Sequence, residues 1–130
     1  MRTSRKPLNW VARSQDDFME FPDWAKVKFG RQLNVAQWGG RPPLAKPLGG
    51  FGSAGVLQLS ETGEQGTFRV VLTVRFGGAV YVLHAFQKKS SQGVETQPAH
   101  LDLIRNRLKT ARQLHEERRK NDDEAETGSG

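Results

Sequence analysis

The side chains best suited to chemistry follow an apolar run in the second half of the chain. Residues 80–83 are followed in sequence by the imidazole of His84, the aromatic ring of Phe86, the amide of Gln87 and the adjacent ammonium groups of Lys88 and Lys89. A buried strand gains nothing from these polar groups, because each one costs free energy when it is buried without a hydrogen-bond partner. A site that handles phosphate groups needs several of them, so this segment is the first candidate for a functional site.

A second strand is predicted at residues 68–76, where apolar and polar side chains alternate. The alternation directs one set of side chains toward helices and the other set, including Arg69 and Arg75, toward an open face. The two arginines lie about 20 Å apart along the strand, so they do not hold one phosphate together, although one RNA chain reaches both. Arg75 flanks a turn and is equally well explained as an ordinary solvated charge.

Two consecutive glycines separate these two strands and predict a tight hairpin. In the resulting antiparallel pair, residue 75 lies near residue 80 and Arg69 lies near Phe86. The guanidinium group of Arg69 is then expected beside His84 and the two lysines, at one end of the hairpin. For His84 the alternative is a core histidine that is hydrogen-bonded to the backbone.

Such a cluster, without carboxylates or metal-ligand spacing, suits the cleavage of RNA by its own ribose 2′-hydroxyl, which requires no metal and no cofactor. Fixed cations stabilise the charge that develops on the phosphate oxygens. A base takes the 2′ proton and an acid protonates the departing 5′ oxygen. His84, Lys88 or Lys89 could be the base, since neighbouring positive charges lower the pKa of an ammonium group, and Phe86 could stack on a splayed base. The same cluster equally suits a nucleic-acid binder that performs no chemistry.

The charge balance favours a polyanionic partner. The chain has 20 basic and 14 acidic residues among 130, a net charge of +6. Three basic and six acidic residues lie at positions 116–130, so residues 1–115 carry 17 basic and 8 acidic residues, a balance of +9. A body this basic attracts nucleic acid, although a basic surface also keeps a small domain soluble.

The composition also excludes several classes of protein. Without cysteine there is no disulfide, no thiol nucleophile and no cysteine-based zinc site. The three histidines are too scattered to suggest a metal cluster. There is no run of eighteen apolar residues and no signal-peptide pattern, so we expect a cytoplasmic protein that does not enter a membrane.

The length and the periodicities predict one α+β domain. We expect a flexible lead-in at residues 1–7, a single domain at residues 8–115, and a charged helix end with a disordered acidic tail at residues 116–130, the tail beginning at Asn121. Two N-terminal helices, the first capped at Ser14, and a C-terminal helix are expected to pack on a small twisted antiparallel sheet.

Two further expectations concern the segments before the sheet. Spacing of three and four residues predicts that the second helix buries a stripe including Trp24, Val27, Leu33 and Val35. Residues 41–55 are rich in glycine and proline, which predicts an irregular loop.

Several short motifs also follow one another in a characteristic order. They are Trp10, Asp16-Asp17-Phe18, Lys46-Pro47-Leu48, Gly50-Phe51-Gly52, Gly55-Val56-Leu57, Phe68-Arg69-Val70, the segment from Leu83 to Ser90 and the helix from Leu103 to Lys109. In this order the chain resembles the phage-derived HigB-like branch of the RelE/ParE toxin superfamily. The resemblance covers about residues 8–112, and the His-Ala-Phe-Gln-Lys-Lys segment is its most specific part.

The resemblance implies a compact α+β fold and the toxin of a type II toxin–antitoxin pair. RelE and HigB relatives are metal-independent endoribonucleases that cut mRNA in the ribosomal A site with basic residues on the concave face of the sheet. The implied partners are therefore mRNA, the ribosome and a HigA-like helix-turn-helix antitoxin, with which a toxin–antitoxin hetero-oligomer is expected.

By position, the resemblance implies that Arg69 stabilises charge in the transition state and that Lys46 is the motif's loop lysine. The full set of predicted catalytic residues is Arg69, His84, Lys88 and Lys89, and the predicted RNA-binding residues are Lys46, Arg75, Phe86 and Gln87. Several RelE-type enzymes have an additional catalytic tyrosine near the C-terminus. Here the only tyrosine is Tyr81, and its spacing from His84 along the strand predicts that the two side chains face opposite sides.

Two other functions remain open at this stage. ParE relatives in the same superfamily inhibit DNA gyrase by binding it, without cutting RNA. A non-toxic phage protein that binds nucleic acid is compatible with the same charge distribution.

Overall fold

The computed structural model describes residues 4–52, 54–88 and 96–128 of the chain. In chain order its elements are β1 (Leu8–Trp10), α1 (Ser14–Met19), α2 (Asp23–Gln37), β2 (Lys46–Pro47), β3 (Val56–Gly63), β4 (Gly66–Thr73), β5 (Val80–Lys88) and α3 (Pro98–Gly128). Five strands form one sheet in the order β1-β5-β4-β3-β2. The predicted α+β class is confirmed, but the sheet is mixed because β1 runs parallel to β5.

The two faces of the sheet bury separate cores. On one face, Phe68 and Val70 of β4 belong to a core with Phe29 of α2. On the other face, Val71 of β4 belongs to a core with Ile104 of α3. The alternation predicted for this strand is confirmed from Phe68 to Leu72, but Phe76 packs with the second core. The face expected to be open is partly covered by α3.

The hairpin register is confirmed at the end of the sheet where the site is expected. Arg69 of β4 pairs with Phe86 of β5, as the two-glycine turn predicts. β4 ends at Thr73, before its expected end at residue 76, so Arg75 lies in the loop that follows and is not part of the ladder.

A β-bulge in β5 decides which side chains face α3. Consecutive residues of β4 pair with His84 and Val82, so Leu83 has no partner in the ladder. Because of this extra residue, Tyr81 and His84 both lie on the face that α3 covers. The prediction that Tyr81 and His84 face opposite sides of the strand is therefore wrong.

Hydrogen bonds from two other parts of the chain hold the bulge. The carbonyl oxygen of Val82 accepts the backbone N–H of Val11 at 2.9 Å and the hydroxyl of Ser14 at 3.1 Å. Nη1 of Arg107, from α3, donates to the carbonyl oxygen of Leu83 at 3.0 Å. Ser14 begins α1 as expected, but its buried hydroxyl binds the sheet and does not cap the helix.

Helix α2 buries only part of the predicted stripe, since Leu33 is buried and Trp24 packs against the core. Ala25, Phe29, Leu33 and Ala36 are buried, whereas Val27 is 51% exposed. The buried stripe is centred on Phe29, between Ala25 and Leu33, and Val27 lies to one side of it.

Helix α3 continues to Gly128 and so runs past Asn121, where the sequence predicts a disordered tail. No glycine or proline interrupts residues 99–127, which is compatible with an uninterrupted helix. Although α3 is long, neither it nor any other helix in the described part of the chain is apolar enough to span a membrane.

Candidate functional site

An open cleft of about 820 Å³ lies between the β2 segment, the exposed end of the sheet and the start of α3. Its lining comprises Pro43, Leu44, Ala45, Lys46, Pro47, Leu48, Gly49, Gln58, Ser60, Thr62, Thr67, Arg69, Lys88, Thr96 and Leu101. Among the residues that the structure describes, this lining contains no carboxylate and combines cations, hydroxyl groups and apolar side chains. The described part of the cleft therefore offers positive charge and hydrogen-bond donors to an anion.

Three of the predicted cations meet in this cleft. Lys46 lies opposite Gln58 in the sheet, Arg69 lies opposite Ser60, and Lys88 lies opposite Thr67. From these registers and standard strand spacings, the backbone positions of the cations lie about 12 Å and then about 8 Å apart along a diagonal. This spacing suits successive charges of an extended polyanion better than one isolated phosphate.

Arg69 forms the floor of the cleft and is held in place there. It is 5% exposed, and its Nη1 donates to the Thr96 hydroxyl at 3.3 Å. That hydroxyl in turn donates to Oε1 of Gln58 at 2.7 Å. Burial lowers the pKa of Arg69, but arginine remains protonated in proteins. The result is a fixed cation whose position is set by neighbours from β3 and from the approach to α3.

His84 does not line the cleft. It is buried under α3, where its Nε2 lies 2.8 Å from Nδ1 of His100 and its Nδ1 lies 3.4 Å from Nη1 of Arg107. Because a guanidinium group only donates, Nδ1 of His84 is the acceptor, and Nε2 carries the proton that His100 accepts.

The surroundings of His84 also make it a poor base. Burial, followed by the neighbouring charges of His100 and Arg107, lowers the pKa of His84 from 6.5 to about 3. Both ring nitrogens are occupied by hydrogen bonds within the protein. The geometry thus argues against the predicted role of His84 as general base. The alternative prediction is a core histidine bonded to the backbone, whereas the observed partners are side chains of α3.

The other predicted RNA-binding residues also lie outside the cleft lining. Phe86 is 9% exposed and stacks on the imidazoles of His84 and His100, with ring centroids 4.6 Å and 4.1 Å apart. Gln87 is exposed and its Nε2 donates to the carbonyl oxygen of Gln65 at 2.7 Å. Exposed Arg75 lies in the loop after β4.

One predicted residue cannot be placed: Lys89 lies outside the described residues. Among the residues that are described, no group of three or more histidine, cysteine or carboxylate side chains could hold a metal ion.

Comparison with known proteins gives the chain a family. The model of the family described as "Phage derived protein Gp49-like (DUF891)" matches residues 16–109. The chain belongs to the Gp49-like family. This is a family of RelE/HigB-like toxins, and the match is not specific to HigB. No curated protein matches the chain.

The Gp49-like match includes every residue that lines the cleft. Several of these residues were missed from the sequence. Gln58, Ser60 and Thr62 alternate along β3, and this period-two pattern of polar residues is a signal that could have assigned them to the same face as Arg69. Thr96 lies just before α3, and no local sequence pattern indicates that it would bond to Arg69.

Proposed function

We propose that this Gp49-like protein is the toxin of a type II toxin–antitoxin pair, and that it is a metal-independent endoribonuclease acting on mRNA in the cytoplasm. Membership in a family of RelE/HigB-like toxins supports the toxin assignment. The observation that carries the nuclease assignment is the cleft in which the three cations Lys46, Arg69 and Lys88 come together. A polyanion is the ligand that this charge pattern favours.

The reaction proposed is attack of a ribose 2′ oxygen on the adjacent phosphorus. A 2′ O–P bond forms and the bond from phosphorus to the 5′ oxygen breaks, which leaves a 2′,3′-cyclic phosphate and a 5′-hydroxyl end. Arg69 stabilises the charge on the non-bridging oxygens, because its guanidinium group is already fixed at the floor of the cleft. Such preorganised donors commonly account for about 10²–10³-fold in rate.

The proton transfers are assigned to the lysines. Lys88 lies in the cleft, diagonally across the ladder from Arg69, and is the described candidate for taking or supplying a proton. Lys89 keeps its predicted role as the second lysine of the pair. His84 is given a positioning role, in which it fixes α3 and thereby the Thr96 end of the cleft.

The partners follow from the same proposal. A HigA-like helix-turn-helix antitoxin would form a hetero-oligomer with the toxin, either covering the cleft or blocking its entry into the ribosome. The ribosome would present mRNA in an extended form, and the diagonal row of cations suits such a strand.

The test is to induce the protein in cells without an antitoxin and to map mRNA 5′ ends. We expect growth arrest together with new 5′-hydroxyl ends, and we expect Arg69→Ala and Lys88→Ala each to lower cleavage about 10²-fold or more. Arg31→Ala removes a matched exposed cation from α2, on the opposite face of the sheet, and should cut as the unmodified protein does. Circular dichroism confirms that each variant is folded.

Other outcomes would point to the other functions. Arrest with intact mRNA, a DNA-damage response and altered supercoiling would indicate gyrase inhibition. Binding of RNA without arrest or cleavage would indicate a non-toxic nucleic-acid binder. Folded Arg69 and Lys88 variants that cleave at the full rate would refute the site assignment.

A further inference from the structure

The cleft has an apolar side that the phosphate chemistry does not use. Its members on the β2 segment are Pro43, Leu44, Pro47 and Leu48, and we refer to these four residues as the apolar wall. Leu44 is 52% exposed, although the side chain is large and apolar. A single exposed leucine is ordinary, but a group of apolar side chains concentrated on one wall of a charged cleft indicates a ligand with an apolar part.

The apolar wall is preorganised by its backbone. Lys46 and Pro47 pair with β3, and the backbone N–H of Leu48 donates to the carbonyl oxygen of Val56 at 3.0 Å. Just before the pair, the N–H of Ala45 donates to the carbonyl oxygen of Pro42 at 3.0 Å. The prolines restrict the backbone further, because each ring fixes its own φ angle. A ligand that lands on this wall therefore meets a surface that is already ordered.

The apolar wall adjoins the row of cations directly. Lys46 lies between two members of the wall in sequence, Leu44 and Pro47, and its strand partner is Gln58. Oε1 of Gln58 accepts the Thr96 hydroxyl, while its amide nitrogen takes no part in that bond and can donate to an acceptor on a ligand. Within one cleft, then, an apolar surface, an amide and a cation lie side by side.

We propose that the apolar wall is a nucleobase subsite. One base of a single-stranded RNA lies flat against Leu44 and its neighbours, while the flanking phosphates contact Lys46 and Arg69. This inference rests on the proposed function. It adds a binding place for the nucleobase, the part of the RNA that the cations do not recognise. Single-stranded RNA is the ligand whose splayed bases and charged backbone match both surfaces at once.

The experiment compares two oligomers by fluorescence anisotropy with the full-length protein. One is a five-residue 2′-O-methyl RNA, which cannot be cleaved, and the other is an abasic chain with the same number of phosphates. We expect the base-containing oligomer to bind about ten-fold more tightly. Leu44→Ala should weaken its binding about five-fold and leave binding of the abasic chain unchanged.

Two further variants make the result specific to the apolar wall. Leu44→Met keeps an apolar side chain of similar volume and should bind both oligomers as the unmodified protein does. Leu114→Ala truncates another partly exposed leucine, on α3 and outside the cleft lining, and should change neither affinity.

The possible failures can be told apart. Equal binding of the two oligomers by the unmodified protein, or an equal loss for both in Leu44→Ala, overturns the nucleobase subsite and leaves the phosphate cleft standing. Binding of neither oligomer overturns the proposed function, and the subsite falls with it.

Discussion

Acid should destabilise the native state through His84, and replacing His84 by glutamine should remove that part of the pH dependence. The side chain is 6% exposed and lies against His100 and Arg107. Burial lowers the pKa of Arg107, and the charge of Asp17 offsets this only in part. The guanidinium group nevertheless stays protonated. A proton added to His84 would therefore sit beside a permanent cation, on the nitrogen that accepts its hydrogen bond.

The size of the effect follows from the pKa of His84. Burial first, and then the charges of His100 and Arg107, lower this pKa from 6.5 to about 3 in the native state. Below pH 6.5 the unfolded chain binds a proton that the native state does not bind, so the stability is fully present above pH 6.5 and is lost as the pH falls toward 3. The loss is about 1.4 kcal/mol per pH unit, or about 2–3 kcal/mol by pH 4.5.

The assay is urea unfolding followed by tryptophan fluorescence at pH 7.5, 5.5 and 4.5. Between pH 7.5 and pH 4.5 the free energy of unfolding should fall by about 2–3 kcal/mol less for His84→Gln than for the unmodified protein. The carboxylates titrate in both proteins, so their contributions cancel in this comparison. His115→Gln is the matched control, since it removes a histidine and leaves the cluster under α3 intact. Parallel pH curves for His84→Gln and the unmodified protein, or an NMR titration of His84 with a midpoint near 6.5, would refute the reasoning.

Two other substitutions test how the cleft and the sheet are supported. Thr96→Val removes the hydroxyl that links Gln58 to Arg69, so it should cost about 1–2 kcal/mol in urea unfolding and weaken RNA binding in anisotropy, whereas Thr96→Ser should retain both. Gly63→Ala would place a methyl group 2.5 Å from the ring of Trp24, so we expect a loss of about 1–3 kcal/mol in the same unfolding assay; an unchanged midpoint would contradict that packing.

The part of the site on β4 could be predicted because its sequence pattern has one solution. Alternating apolar residues fix which face Arg69 takes. The pairing of Arg69 with Phe86 agrees with the two-glycine prediction because the bulge offsets a one-residue shift at the turn, where Thr73 pairs with Tyr81. The meeting of Arg69 with Lys88 in one cleft is a consequence of that register. Short-range patterns are sufficient wherever the pairing is local.

The environment of His84 could not be predicted in the same way. Its partners, His100 and Arg107, belong to a helix that follows in sequence but packs across the sheet, and no spacing rule links them. On α2, helical spacing predicts the burial of Leu33 correctly but that of Val27 wrongly, because packing against the sheet selects Phe29. The apolar wall lies on the β2 segment, within the irregular loop predicted at residues 41–55. That prediction is wrong at Lys46–Pro47, because a strand of two residues has no periodicity that the sequence could reveal.

The bulge at Leu83 explains how one strand serves both a core and a site. In a regular strand Tyr81 and Lys88 would point to opposite faces, because side chains alternate. The extra residue reverses the alternation, so Tyr81 packs in the core beneath α3 while Lys88 reaches the cleft with Arg69. The hydrogen bond from Arg107 to the carbonyl of Leu83 then ties this reversal to α3. The helix that contributes Leu101 to the cleft is thus held by the same irregularity that turns Tyr81 toward α3 while Lys88 keeps the face of Arg69.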